Sequence, residues 1–137
     1  MIGADTNVLL RIVLRDDAEQ LRVAEEALGR ALERREAIRI GPVALAEFTW
    51  TLSKGRRVPR RELAEVLRGL AETPPFRTFD DAIFETALGA FEAGAADFAD
   101  CLIAAMDEAA GCRATLTFDR AALRVPGFAH PAEARGE

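Results

Sequence analysis

Short apolar runs separated by longer stretches of helical periodicity set the pattern of the chain. Residues 1–4, 37–40, 76–79, 114–118 and 128–130 read as short strands, each apolar and bounded by turn or capping residues. Between them the apolar positions recur at three- and four-residue intervals. Thr6–Arg15 reads as a helix that Thr6 or Asn7 is able to cap. Asp16-Asp17 supplies a turn and a second cap. Leu21, Ala24, Leu28, Ala31 and Leu32 then mark one face of a helix reaching about Arg35. Gly41-Pro42 opens a helix over Val43–Ser53, since proline suits a first helical turn. Leu63, Val66, Leu67 and Leu70 give an amphipathic helix closed by Thr73-Pro74-Pro75. Asp80 caps the next, whose face is Phe84, Ala87, Leu88 and Phe91, and Gly94 stops it. In Asp97–Ala110 the residues Phe98, Cys101, Leu102, Ala105 and Ala109 point inward, and Gly111 ends the helix. Ala121–Leu123 is a turn of helix.

Strands alternating with helices predict an α/β fold with a parallel sheet covered on both faces. No internal repeat and no domain boundary is visible. One helix breaks the simple pattern. Val43, Leu45, Ala46, Phe48, Trp50 and Leu52 occupy more than one face of Val43–Ser53. Such a helix is either deeply buried or presents a partner surface, with Trp50 or Phe48 as the candidate contact between two copies.

Composition narrows the function. The 137 residues suit one domain with a real core. No apolar run reaches the length of a membrane span, and no basic-then-apolar signal segment opens the chain. Asp5 so near the start argues against a cleaved leader, so a cytoplasmic protein is expected. Cys101 and Cys112 lie eleven residues apart, within and just after one predicted helix. Their Cα atoms are then roughly 16 Å apart, beyond disulfide reach, and buried free thiols are expected. His130 is the one histidine. That disfavours a His- or Cys-rich zinc site and a His-based triad.

The net charge of −5 argues against RNA or DNA binding by the whole surface. If about four carboxylates are committed to a metal, the remainder is close to neutral. Lys54, Arg56, Arg57, Arg60 and Arg61 cluster in a segment broken by Gly55 and Pro59. Two readings stay open for it, a solvated loop and a phosphate-contacting patch. Arginine suits phosphate contact, but an Arg- and Ala-rich chain also follows from genomic base composition.

The acidic residues carry the candidate chemistry. Asp5 and Asp119 each follow a short apolar strand directly, and in a parallel sheet both fall on the carboxyl edge, where ligands bind. Asp97 and Asp100, three apart, share a helix face. Glu47 is the lone acid inside an apolar helix and needs a partner there. Each has a plain structural explanation. Asp97 and Asp100 complement a helix dipole, worth about 0.3–1 kcal/mol each; Asp5 can be an N-cap, Asp119 a turn residue, and Glu47 can snorkel to water. Taken together, several carboxylates converging without cations repel, and some are forced to stay protonated. A divalent cation resolves this, and oxygen ligands without His or Cys point to Mg²⁺ or Mn²⁺. With no visible nucleophile, the expected reaction is phosphodiester hydrolysis by metal-activated water.

Four segments in order carry a resemblance: Ala4-Asp5-Thr6-Asn7-Val8-Leu9, the isolated helical Glu47, Asp97-Phe98-Ala99-Asp100-Cys101-Leu102-Ile103-Ala104-Ala105, and Thr117-Phe118-Asp119-Arg120. The sequence resembles the PIN-domain ribonucleases, specifically VapC-type toxins of bacterial toxin–antitoxin pairs, over about residues 1–131. The resemblance implies a three-layer α/β/α fold with a short-stranded central parallel sheet, followed by a tail over residues 132–137. It implies Mg²⁺- or Mn²⁺-dependent endonuclease action on RNA, a homodimer, and a cognate antitoxin occupying the active-site groove. Carried over by position, Asp5, Glu47, Asp100 and Asp119 are the acidic quartet and metal ligands, with Asp97 as a frequent extra acid. Thr6 and Asn7 support the first acid. Thr117 matches a Ser/Thr position where a hydroxyl orients water or a carboxylate. Arg56, Arg57, Arg60 and Arg61 are RNA-binding candidates. Gly3 departs from the bulky apolar residue common before the first acid, which loosens the strand without touching the chemistry.

Three other readings compete. A haloacid-dehalogenase-type phosphatase needs a second Asp two positions after the first, where Asn7 stands. A receiver domain needs a late Lys, and the one lysine, Lys54, is misplaced. A PIN fold can also serve as a housekeeping RNA-processing nuclease or as a catalytically silent interaction module; the intact acidic set speaks against silence.

Overall fold

The computed structural model describes residues 1–94 and 96–133. Its contacts gather the chain into two compact units, residues 1–79 and 80–137. The first unit runs β1 (Ile2–Ala4), α1 (Thr6–Leu14), α2 (Ala18–Glu33), β2 (Ile38–Ile40), α3 (Pro42–Trp50), a π-helical turn (Thr51–Gly55), α4 (Arg60–Glu72) and β3 (Phe76–Thr78). The second runs α5 (Asp81–Glu92), α6 (Phe98–Ala109), β4 (Thr115–Leu116), a 3₁₀ turn (Ala122–Arg124) and β5 (Phe128–Ala129). Every paired strand among the described residues is parallel, as the strand–helix alternation requires. The fold is α/β.

In the first unit the sheet order is β1-β2-β3, with Gly3, Arg39 and Arg77 in one register row. Ile38 and Ile40, and likewise Phe76 and Thr78, are buried, while Arg39 and Arg77 between them are exposed. Helix α1 packs on α2 and α3, and α4 packs on β3. The over-apolar helix α3 resolves into two faces. Leu45, Phe48 and Thr49 are buried, continued by Leu52 in the π-helical turn. A fully buried Leu or Phe side chain contributes about 1.5–3 kcal/mol. Val43 and Trp50, seven residues apart, are 70% and 61% exposed. The helix is thus buried on one face and apolar but exposed on another, and Phe48, fully buried, is excluded as a contact between copies. Leu32, expected on the inner face of α2, is half exposed.

In the second unit α5 and α6 pack face to face through an aromatic cluster. Phe98 stands 6.1 Å from Phe84 and 5.8 Å from Phe91, centroid to centroid. Each such pair adds about 0.5–1.5 kcal/mol beyond area burial. Because Phe98 is the first residue of α6, this cluster pins the helix start, where Asp97 and Asp100 lie. Gly94 and Gly111 sit at φ 97° and 94°, the left-handed conformation that ends α5 and α6. Three expectations fail here. The strand over 114–118 is not buried: Leu116 is 56% and Phe118 78% exposed. Strand β4 pairs with β5 on one side and comprises two residues. Cys101 is buried as expected, but Cys112 is exposed, because α6 has already ended at Ala109. Ala109 itself is exposed. Of the tail over 132–137, residues 134–137 lie outside the described residues.

No helix among the described residues is long and apolar enough to cross a membrane.

Candidate active site

Asp5 ends the extended run of β1, with φ −90° and ψ 176°, and caps α1. Its Oδ1 accepts from the Val8 backbone N–H at 3.1 Å. The cap is therefore Asp5 rather than Thr6 or Asn7, because the strand keeps Asp5 in the β region that capping needs. One carboxylate oxygen is fixed, and the other accepts no hydrogen bond among the described residues. Thr6, the first residue of α1, faces α3. Its hydroxyl donates to Glu47 Oε2 at 3.2 Å, and the Ala44 carbonyl, at 3.4 Å, competes for the same proton. Glu47 thus has the partner its apolar helix demanded. It is exposed, on the face that also carries Val43 and Trp50. Asn7 is exposed and makes no side-chain hydrogen bond among the described residues. With Asp5, Val8, Val23 and Ala24 it lines a mostly apolar cleft of about 460 Å³.

The basic segment is less free than its sequence suggested. Asp16 accepts from Arg11 at 2.7 Å and from Arg56 at 2.9 Å, so Arg56 is already paired. The side chains of Lys54, Arg57 and Arg61 are exposed, and Arg60 is engaged elsewhere. The Arg11–Asp16–Arg56 network gave no sequence signal, since its members lie up to 45 residues apart.

In the second unit Asp97 caps α6, its Oδ1 accepting from the Asp100 N–H at 2.9 Å. Asp119 caps the turn that follows β4. Its Oδ1 accepts from Ala121 N–H at 2.8 Å and lies 3.5 Å from Ala122 N. Thr117 acts on the backbone of this acid: its hydroxyl oxygen accepts the Asp119 N–H at 3.0 Å. The structural explanations set against Asp5, Asp97 and Asp119 are thus all realised, and each leaves one carboxylate oxygen unused by these bonds.

Asp100 differs. It is half-buried, one turn into α6, and its carboxyl is pushed up to about 6. Desolvation is the largest cause, followed by the charge of Asp97, a hydrogen bond with Asp97 and the charge of Asp119. The structure therefore brings Asp97, Asp100 and Asp119 within electrostatic reach of one another. None of the five candidate acids forms an ion pair with a Lys or Arg among the described residues. Nor do any three His, Cys, Asp or Glu side chains among them stand in an arrangement that could hold an ion. The donor chemistry still fits a hard cation: oxygen donors only, none of the five acids in an ion pair among the described residues, and a half-buried carboxyl made costly to ionise by burial and by its acidic neighbours.

Beside Asp119, the Phe118 ring stands edge-to-face with His130, centroids 5.4 Å apart at 83°. His130 Nδ1 accepts from the Ala132 N–H at 3.0 Å. The sequence signal was only that the single histidine lies near the chain end.

No curated protein matches the chain. A family model does, the PIN domain, over residues 3–127, which takes in Asp5, Glu47, Asp97, Asp100 and Asp119, and the chain belongs to that family.

Proposed function

We propose that this chain is a metal-dependent endoribonuclease and the toxin of a VapC-type toxin–antitoxin pair. PIN domains are generally nucleases, commonly metal-dependent ribonucleases. The observation that carries the reading is Asp100, crowded by Asp97 and Asp119 with no cation to offset them. Asp5, Glu47, Asp100 and Asp119, with Asp97 as an additional acid, are assigned to Mg²⁺ or Mn²⁺. The ion lowers the pKa of water and offsets charge gathering on the phosphate. The chain's own groups supply the preparation. Backbone N–H groups fix one oxygen each of Asp5 and Asp119, and the Thr6 hydroxyl holds Glu47. Asp100 would bind the ion in its ionised form, which the ion's charge would favour.

The exposed Lys54, Arg57 and Arg61 are assigned to RNA phosphates. Val43 and Trp50 are assigned to a second copy of the chain, and the cleft beside Asp5 and Asn7 to the antitoxin. The expected compartment is the cytoplasm. Cleavage of RNA is expected with Mg²⁺ or Mn²⁺ and not with chelator. Asp5→Asn is expected to lower it on the order of 10²-fold, since a metal supplies several kcal/mol of transition-state stabilisation. Undiminished cleavage in chelator or in the variant sinks the mechanism. Changing Arg57 and Arg61 to Gln is expected to flatten the salt dependence of RNA binding; an unchanged slope returns that loop to solvent. A small reading frame directly upstream of the gene supports the toxin role, and its absence favours a housekeeping nuclease. Sedimentation of the intact chain checks the dimer, and a monomer at micromolar concentration removes it.

A further inference from the structure

We propose that Phe118 and His130 form a nucleobase platform beside Asp119, taking an unpaired RNA base next to the phosphate being cut. The inference rests on the ribonuclease reading.

An exposed phenylalanine by itself is ordinary. This one is exposed over 78% of its surface and directly precedes a candidate catalytic acid. Its backbone is held on the following side, because the Asp119 N–H is bonded to Thr117 and the Asp119 carboxylate to the next turn. Its ring is braced as well. The parallel register of β4 and β5 pairs Leu116 with Ala129, so Phe118 and His130 both emerge just past these strand ends. Their edge-to-face contact at 5.4 Å steadies the Phe118 side chain while most of its surface stays open. A steadied, open π-face is what single-stranded nucleic-acid binders use, because every base has a face to stack.

His130 adds a donor. Its Nδ1 accepts the Ala132 N–H, so in the neutral ring the proton sits on Nε2. That N–H makes no hydrogen bond among the described residues. It can donate to a carbonyl oxygen or a ring nitrogen, acceptors that every base carries. Paired bases are already stacked within a duplex, so the platform selects single-stranded RNA.

The test is fluorescence anisotropy of the intact chain with labelled single-stranded RNA in EDTA, where nothing is cut, alongside KM for cleavage in Mn²⁺. Phe118→Ala and Phe118→Leu are expected to weaken binding about 5- to 100-fold, and Phe118→Trp to restore it, since base stacking contributes about 1–3 kcal/mol. On an abasic strand of equal length the wild type and Phe118→Ala are expected to bind alike. His130→Phe, which keeps the ring contact and removes the donor, is expected to weaken binding of uridine and adenosine strands alike, by less than Phe118→Ala does. Equal binding by wild type, Phe118→Ala and Phe118→Leu overturns the platform. So does a Tm several degrees lower in Phe118→Ala, because a ring so exposed has little packing to lose. If the wild type cuts RNA and these variants bind unchanged, the platform alone falls. If the wild type neither binds nor cuts RNA, the ribonuclease reading falls with it.

Discussion

Asp5 and Asp119 are both exposed acids behind a short strand, Asp5 immediately after β1 and Asp119 three residues past β4, each with its Oδ1 turned back onto the next turn's N–H groups. What surrounds them differs. In the first unit each candidate acid has a neutral donor, the Val8 N–H for Asp5 and the Thr6 hydroxyl for Glu47. Charge is dispersed into hydrogen bonds. In the second unit Asp97 and Asp119 act on a third acid, Asp100, whose carboxyl burial also penalises. The second unit thus holds a carboxyl that burial first, and the charges of Asp97 and Asp119 after it, make costly to ionise.

The largest effect on that comparison is expected from Asp100→Asn in metal-free protein. A carboxyl whose folded pKa is raised binds more protons folded than unfolded. Its contribution is most favourable below the unfolded value near 4 and is lost as pH rises through about 6. At pH 7.5 asparagine removes the penalty and can still donate a hydrogen bond to Asp97. After allowing for solvent screening, the gain is about 1 kcal/mol, or about 3 °C in Tm. The gain is expected to vanish below about pH 4. A Tm unchanged or lowered at pH 7.5 erases the contrast between the units.

A smaller effect separates the two caps. Asp5→Ala is expected to cost about 1 kcal/mol at pH 7.5, the usual loss of an N-cap. Asp97→Ala loses a cap too, but it also relieves Asp100, so its cost at pH 7.5 is expected to be smaller and to grow below pH 4. Chemical denaturation at the two pH values measures both. Equal costs for the two variants at both pH values mean that Asp97 and Asp100 do not communicate.

Much of the frame was legible from pattern alone. Asp17 and Asp80 cap where their positions before apolar-periodic runs placed them. The inward face of α6 from Phe98 to Ala105 was readable, as were the glycines that end α5 and α6. Periodicity says which side chains share a face, not whether anything covers that face. Leu32, Leu116 and Phe118 were misread for that reason, and so was the idea that Phe48 could meet a partner. The cap of α1 was misplaced by one residue because extended backbone persists through Asp5. The candidate acids were visible as residue types at strand ends and a helix start. The raised Asp100 was not, because it depends on burial and on Asp119, nineteen residues away.

Capping by carboxylate has a genetic consequence. Asparagine caps a helix about as well as aspartate does, whereas alanine does not. At Asp5, Asp97 and Asp119 a change to asparagine removes charge and leaves the helix start intact. In the genetic code that exchange is a single transition at the first codon position. On the proposed toxin reading, the shortest mutational path away from harm therefore runs through variants that still fold.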